Sequence, residues 1–543
     1  MADPETEETD VVIVGAGSSG CALAGRLSER RDLQVTVLEA GGSDRSLWVR
    51  MPIGYGGAFY HPRLNWRYYT EPDPGLGGRQ AYWPRGRVVG GSSSINAMVF
   101  VRGQAADYDG WAAAGCTGWS YADVLPAFRR LETWTGGDSQ WRGGSGPIHV
   151  RDIARAAHPL SHAFVAAGVA QGYAHNADFN ANDQEGIGFN QITVRDGRRS
   201  SAATGYLAPA LRRRNLQLIR NATATRVLFE GRRAVGVEYE RGGRLLRITA
   251  RKEVVLSAGA IGSPQLLQLS GIGEPARLGA LGIETVHASP QVGRNLQDHV
   301  GYDLIFEATV PTLNATLGPL LARGRAGLTY LMTRDGPLSL SVNQAGGFIR
   351  DHPKRTRPNL QLYFSPLSYT RAKPGRRRLT APDAFPGFMI GISNCHPKSR
   401  GWLHIRSADP HARPELHGGY FSDPADLDEL IGAVGIMRAL AAQPALSRYI
   451  KAELGPGEHV TDRAALEAFI RQTTTSVYHQ CGTCAMGADA GQGAVVDPRL
   501  RVHGLEALRI ADASIIPLIP SGNLNAPCLM IGERAAEMIG ADL

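Results

Sequence analysis

The sequence of 543 residues predicts an α/β protein: a mostly parallel sheet on one side and a second lobe of mixed α and β structure on the other. Three observations predict it. A run of β-branched residues, Val11-Val12-Ile13-Val14, leads directly into a Gly-x-Gly-x-x-Gly turn at Gly15, Gly17 and Gly20. A second strand, turn and helix pattern follows at 254–271. From about 305 to 470 the chain changes to proline-punctuated apolar runs and one amphipathic segment at 427–442. A chain of this length also exceeds what one hydrophobic core usually serves.

The opening turn has the spacing of a Rossmann-like dinucleotide site. Gly15 supplies the tight turn, Gly17 lets backbone approach a pyrophosphate, and Gly20 lets the next helix pack closely on the sheet. Ala22, Leu23 and Leu27 have helical spacing, so the amides around Ser18 and Ser19 open that helix toward the phosphates. The second strand, Gln34-Val35-Thr36-Val37-Leu38, ends in Glu39 and Ala40. An acid about 20 residues past the last glycine is placed to accept hydrogen bonds from an adenosine ribose. These elements predict a bound dinucleotide without separating FAD from NAD.

Composition excludes several classes. The formal charge is +8, but the arginines are scattered, and the basic runs Arg212-Arg213-Arg214 and Arg376-Arg377-Arg378 read as solvated loops or helix ends, so nucleic-acid binding is not expected. Six cysteines in a chain this long make no disulfide framework. Cys481 and Cys484 form a CxxC, yet no second pair accompanies it and His479 and His503 lack ligand spacing, so no metal is expected and the two cysteines read as small packed residues. No apolar run reaches membrane length, and the acidic start over residues 1–10 lacks the regions of a signal peptide. The expected location is the cytoplasm.

After Glu39, Gly41-Gly42 is expected to break a sheet edge, and residues 48–74, aromatic and proline-rich without a clear period, read as a long loop. Within it Trp66 and Tyr69 have the chemistry to stack on an adenine, with simple packing the default. Residues 86–100 then pair two adjacent glycines with three serines before an apolar run, a loop able to approach a ligand while offering amides and hydroxyls to polar oxygens.

This stretch and Ser257-Ala258-Gly259-Ala260-Ile261-Gly262-Ser263-Pro264, continuing to Gly273, resemble the two signatures of the glucose-methanol-choline (GMC) family of FAD oxidoreductases. Physically the second is a buried strand, Val254-Val255-Leu256, then a turn and a helix, with Ser263 read as N-cap, Pro264 as the first helical residue and Gly271 as the stop. With the opening turn and the C-terminal motifs, the resemblance spans nearly the whole chain.

The resemblance implies an FAD domain in three pieces, 1–155, 200–304 and 471–543, and a substrate domain in two, 156–199 and 305–470. It implies cofactor contacts at Trp66, Arg87, Val89, Gly90, Gly91, Ser92, Asn96, Ala97, Met98 and Val99. It implies others at Ala258, Gly259, Tyr478, Asp512, Ala513, Asn525 and Ala526, with the backbone of Val227 against the adenine. It also brings His479 and Asn523 to the flavin ring. There a neutral imidazole takes the alcohol proton, an amide holds the substrate oxygen, and the flavin accepts the hydride at N5. The helix beginning near Pro527 would aim its amides at the flavin pyrimidine oxygen.

Two departures carry information. Members with covalent FAD use a histidine just before the asparagine of the first signature; here it is Ile95, so non-covalent FAD is expected. Choline-oxidising members place a glutamate two residues after the histidine of Asn-Leu-Gln-Asp-His; here Asn295-Leu296-Gln297-Asp298-His299 is followed by Val300 and Gly301, which lowers choline in the ranking. The expected activity is oxidation of a small-molecule primary alcohol, preferentially an aryl- or furyl-methanol, to the aldehyde and onward through its hydrate, with oxygen or a quinone as acceptor. The alternatives are a dehydrogenase of choline, a polyol or a pyridoxine-like alcohol, and a flavin-binding protein without catalysis, against which the presence of both His479 and Asn523 argues.

Overall fold

The computed structural model describes residues 6–369 and 382–543; residues 1–5 of the acidic start and the basic run at 376–378 lie outside them. The first strand, β1 (Thr6–Val14), runs parallel to β2 (Val35–Glu39) on one side and to the long strand Arg244–Leu256 on the other. Leu216–Arg220 extends the sheet beyond β2, and Leu508–Ile510 pairs with the end of Arg244–Leu256, both parallel. Two antiparallel strands, Arg233–Arg241 and Thr223–Glu230, complete it. Val11 to Val14 are 0–5% exposed, which explains a continuous apolar run in place of alternation: both faces of this strand are covered. Because β2 is flanked on both sides, Gly41 and Gly42 end an interior strand, a correction to the expected sheet edge.

The helix α1 (Ser18–Leu27) packs against the C-terminal helix Asn525–Asp542. A Cβ on Gly532 would lie 2.4 Å from the Ser19 carbonyl, and the Ser19 hydroxyl donates to the Cys528 carbonyl at 2.7 Å. The end of the chain is therefore held against its first glycine turn.

The second signature helix spans Gly259–Leu269, starting four residues before the expected Ser263 cap. Pro264 thus lies inside it and provides no amide for the Ala260 carbonyl; the Thr483 hydroxyl donates to that carbonyl at 2.7 Å instead. Ser263 turns back, accepting from the Ala258 amide at 3.1 Å and donating to Asp512 at 2.5 Å.

A second, antiparallel sheet has the order Ile450–Gly455, Val300–Ala308, Gly387–Asn394, Leu360–Ser365, Ala345–Ile349, Gly186–Phe189, with Thr475–Ser476 beside the start of Val300–Ala308. Helices Pro159–Ala170 and Pro424–Ala441 share an apolar core with it. The architecture is a Rossmann-like sheet joined to a discontinuous α+β lobe. The boundary expected at 304/305 falls inside Val300–Ala308, and that at 470/471 inside the helix Arg463–Thr473. The expected loop at 48–74 contains short helical turns, Pro52–Gly54 and Tyr55–Ala58 among them, where Ile53 and Tyr55 are buried against residues of the second lobe, while Trp48 and Tyr69 stay exposed.

Candidate active site

Two cavities meet between the sheets. The larger, about 500 Å³, runs over the glycine turn; the smaller, about 230 Å³, lies against the second sheet. Ser18, Arg85, Ser92, Gln480, Ala513 and Cys528 line both, so they form one elongated space.

The large cavity is a backbone cradle. Gly15 has φ +105° and a Cβ there would meet the Ser257 carbonyl at 2.4 Å; one on Gly20 would meet the Gly15 carbonyl at 2.0 Å. Gly91, at φ +52°, brings the first-signature loop onto the turn, where its Cβ would lie 2.7 Å from the Gly17 Cα. Only glycine permits these approaches. The first-turn amides of α1 carry no side-chain cap, as a helix does when its N-terminus faces an anion. Glu39 accepts from the amides of Ala16 and Gly41 at 2.9 and 2.7 Å, and its burial pushes its carboxyl up to about 7. The Arg87 guanidinium stacks 4.6 Å from the Trp66 ring, so Trp66 both packs and lines the cavity. The open helix end, the glycine cradle and the elongated space fit the diphosphate and the two ends of FAD.

Of the residues expected at the cofactor, Gly15, Gly17, Ser18, Ser19, Glu39, Ala40, Trp66, Arg87, Gly91, Ser92, Ala258, Gly259, Asp512 and Ala513 line the large cavity. Asn96, Ala97, Met98, Val99, Tyr478 and Asn525 line the small one. Gly20, Val89, Gly90, Val227 and Ala526 line neither. Gly20 serves helix packing, Val89 is tied by its carbonyl to the Ser94 hydroxyl, and the Val227 amide is taken by the Ser270 hydroxyl at 2.9 Å. Ala222, just before the Val227 strand, and Thr223 and Ala224, at its start, line the cavity instead. Asp512 is a structural acceptor, receiving the Gly259 amide at 2.8 Å and the Ser263 and Ser514 hydroxyls.

His479 and Asn523 converge in the small cavity, with His479 Nε2 3.1 Å from Asn523 Nδ2. Behind His479 stands His299, Nδ1 to Nδ1 at 3.0 Å, whose Nε2 lies 2.8 Å from the Cys395 carbonyl. A carbonyl only accepts, so His299 carries its proton on Nε2 and offers a lone pair at Nδ1. His479 must then donate from Nδ1, which leaves its Nε2 as a lone pair facing the cavity and the Asn523 amide donor. Burial, with His299 and Arg85 nearby, holds the His479 pKa well below the ordinary histidine value, so the imidazole is a neutral base at neutral pH.

The segment carrying His479 is pinned. Asp298 accepts from the His479 amide at 2.9 Å, the Ser476 hydroxyl at 2.5 Å, the Tyr420 hydroxyl at 2.7 Å and the Gln480 amide at 2.6 Å. The half-buried Arg85 donates to Gln480 and to the Tyr478 carbonyl. Tyr478 itself sits at φ +72°, a strained conformation for a non-glycine residue that these bonds enforce. The helix Asn525–Asp542 also opens toward this cavity without a side-chain cap.

Sequence reasoning missed His299, Arg85, Gln480 and Asp303. His299 was visible in the Asn-Leu-Gln-Asp-His motif, but its partner lies 180 residues away. Asp303 lines the small cavity on the strand Val300–Ala308, with a carboxylate over Gly391, where a Cβ would lie 2.4 Å from its Oδ1. Among the described residues, no group of three or more His, Cys, Asp or Glu is arranged to hold a metal, and no helix is long and apolar enough to cross a membrane. Cys481 and Cys484 are both buried and unbridged.

Two models of the GMC oxidoreductase family match residues 9–301 and 397–532. An oxygen-dependent choline dehydrogenase of Photobacterium profundum is 41% identical over 536 residues, covering 98% of this chain and 92% of the relative. The mitochondrial choline dehydrogenase of Homo sapiens is 43% identical over 541 residues, covering 98% and 90%. Among solved structures, pyridoxine 4-oxidase from Mesorbium loti matches with a TM-score of 0.89 at 30% identity, covering 98% of this chain and 99% of that one. A fungal aryl-alcohol oxidase matches with a TM-score of 0.84 at 26% identity, covering 99% and 100%.

Proposed function

The chain belongs to the GMC oxidoreductase family, FAD-dependent enzymes acting on alcohols, and from that premise we propose that it oxidises a choline-type primary alcohol, one bearing a cationic ammonium group, to the aldehyde. The observation that carries this reading is the carboxylate of Asp303 in the same cavity as His479 and Asn523. Gly301 does lack the glutamate expected of choline-oxidising members. Asp303, however, is two residues on, on the same face of the same strand about 6.8 Å away, and brings a carboxylate to the same space. Tyr55, Phe59, Tyr363, Tyr369 and Tyr478 line the cavity with it, and aromatic faces attract a desolvated cation. Relatives at 41–43% identity support this reading over the aryl- or furyl-methanol preference, for which the fungal neighbour at 26% is weaker ground.

In this reading the lone pair at His479 Nε2 accepts the hydroxyl proton, and the Asn523 amide holds the substrate oxygen as it gains alkoxide character. The charge that develops on His479 is shared through Nδ1 with His299. Bound FAD supplies the hydride acceptor. We infer non-covalent binding from Ile95, 2% exposed, an aliphatic side chain unable to form the link.

The test is anaerobic bleaching of the flavin by choline, by its uncharged isostere 3,3-dimethylbutan-1-ol, by pyridoxine and by benzyl and furyl alcohols. Choline is expected to reduce the flavin at least about tenfold more efficiently than the isostere; benzyl or furyl alcohol outpacing choline overturns the reading. Flavin released into the supernatant on acid precipitation checks the non-covalent link, and peroxide formation separates oxygen from a quinone as acceptor.

A further inference from the structure

We propose that the helix Leu320–Thr333 is a docking surface for an anionic lipid bilayer. Five of its outward side chains are large and apolar: Leu320 is 76% exposed, Leu321 90%, Leu328 59%, Leu331 58% and Met332 77%. Single exposed leucines are ordinary, but five large apolar side chains within one helix are a patch. At 3.6 residues per turn they fall within an arc of about 120°. The opposite side holds Ala326 and the buried Tyr330, whose hydroxyl donates to the Gly197 carbonyl at 2.9 Å.

The charge around the patch selects the partner. Arg323 and Arg325 are exposed on the helix and Arg334 caps it. The turn at Gly197, on which Tyr330 rests, adds Arg195 and Arg198. Within the helix, its C-terminal flank and that turn, the acids among the described residues are Asp196 and Asp335, and the helix itself contains none. A second copy of this face would bring arginine onto arginine, whereas lipid phosphates would neutralise them as the leucines enter the acyl boundary. With 14 residues the helix is too short to span a bilayer and suits lying in its plane.

The patch is one layer from the active site. The cluster beneath it contains Tyr55, Met98, Val342 and Met389, which also line the small cavity. A bilayer-bound enzyme would therefore hold that cavity beside the membrane, where an apolar acceptor such as a quinone is concentrated. The docking claim itself does not depend on which alcohol is oxidised.

The test is cosedimentation of the flavin-loaded enzyme with vesicles of phosphatidylcholine alone and with phosphatidylglycerol added, at low and high salt. At least about tenfold stronger binding to the anionic vesicles is expected, weakened by salt. The triple variant Leu321→Glu, Leu328→Glu, Met332→Glu and the double variant Arg323→Glu, Arg325→Glu should each lose about tenfold or more. Both are expected to retain the flavin spectrum and activity without vesicles. Failure of the wild type to bind anionic vesicles, or full binding by the triple variant, overturns the proposal. So does a wild-type dimer in light scattering that Leu321→Glu converts to monomer.

Discussion

Nδ1 of His299 lies 3.0 Å from Nδ1 of His479, with the two rings almost perpendicular at 89°. This contact turns a lone histidine into a histidine of fixed tautomer. Replacing His299 with alanine leaves the His479 N–H without its acceptor, so the ring is free to rotate or to exchange tautomers. The rate of flavin reduction is expected to fall about 10²-fold, the scale of a misplaced catalytic group, with little change in KM. Because His299 also helps to hold the His479 pKa down, the acid limb of the rate profile should move toward higher pH in the variant. Stopped-flow reduction across pH checks both; a loss confined to KM would contradict the positioning role.

Replacing His479 itself tests the base. With alanine at this position the cavity keeps its cradle, since none of the glycine contacts over the diphosphate region involves the imidazole. FAD should stay bound while reduction by alcohol slows by about 10² or more. Unchanged reductive kinetics would reject the assignment.

The same histidines make stability depend on pH. Burial pushes His299 down to about 4, while in the unfolded chain it titrates near 6.5. Between those values the unfolded state binds more protons than the folded state, so stability decreases as pH falls through that window, by up to about 1.4 kcal/mol per pH unit for each histidine so shifted. His479 acts in the same direction. Thermal unfolding of wild type and His299→Asn across this range should show the variant losing less on acidification; parallel curves would count against it.

The parts of the fold legible in the sequence were those whose signal is local. Gly15, Gly17 and Gly20 stand at fixed spacing directly after a strand, so their pattern is legible locally even though the contact that demands Gly15 is with the distant Ser257 carbonyl. The second signature helix opens four residues before Ser263, where Ala258 and Gly259 have no side-chain chemistry to mark a cap, while the Ser263 hydroxyl, which resembles one, reaches backward to the Ala258 amide. The second sheet joins strands from Gly186–Phe189 to Thr475–Ser476, and nothing local encodes that order. His479 and Asn523 were reachable through motif position, but His299, Arg85 and Asp303 act through partners distant in sequence. A neighbour that far away leaves no spacing to count.

The closeness of the first-signature loop to the glycine turn gives a test of the cofactor cradle. Gly91→Ala forces a Cβ to within 2.7 Å of the Gly17 Cα at φ +52°, so either loop or turn must shift. The expected cost is about 1–3 kcal/mol, with a fall in bound flavin per chain. Gly432, in the helix Pro424–Ala441, has nothing within 4 Å of its would-be Cβ, so Gly432→Ala should be neutral or stabilise by up to about 1 kcal/mol with full flavin content. Flavin absorbance and melting temperature of the pair separate a cradle from a glycine that merely happens to be there.

Asp303→Asn addresses the substrate. The amide keeps the shape over Gly391, where the register of Val300–Ala308 against Gly387–Asn394 leaves room only because residue 391 has no side chain. What changes is the charge offered to the ammonium group of the proposed substrate, in a cavity lined by aromatic side chains. Loss of a partly desolvated ion pair predicts at least about a tenfold rise in KM for choline. The neutral isostere 3,3-dimethylbutan-1-ol should be affected little, since it has no charge to lose a partner for. His479 and Asn523 are untouched, so the limiting rate of flavin reduction at saturating choline should change far less than KM. Equal losses for the charged and uncharged alcohols would mean that Asp303 shapes the cavity instead of recognising the cation.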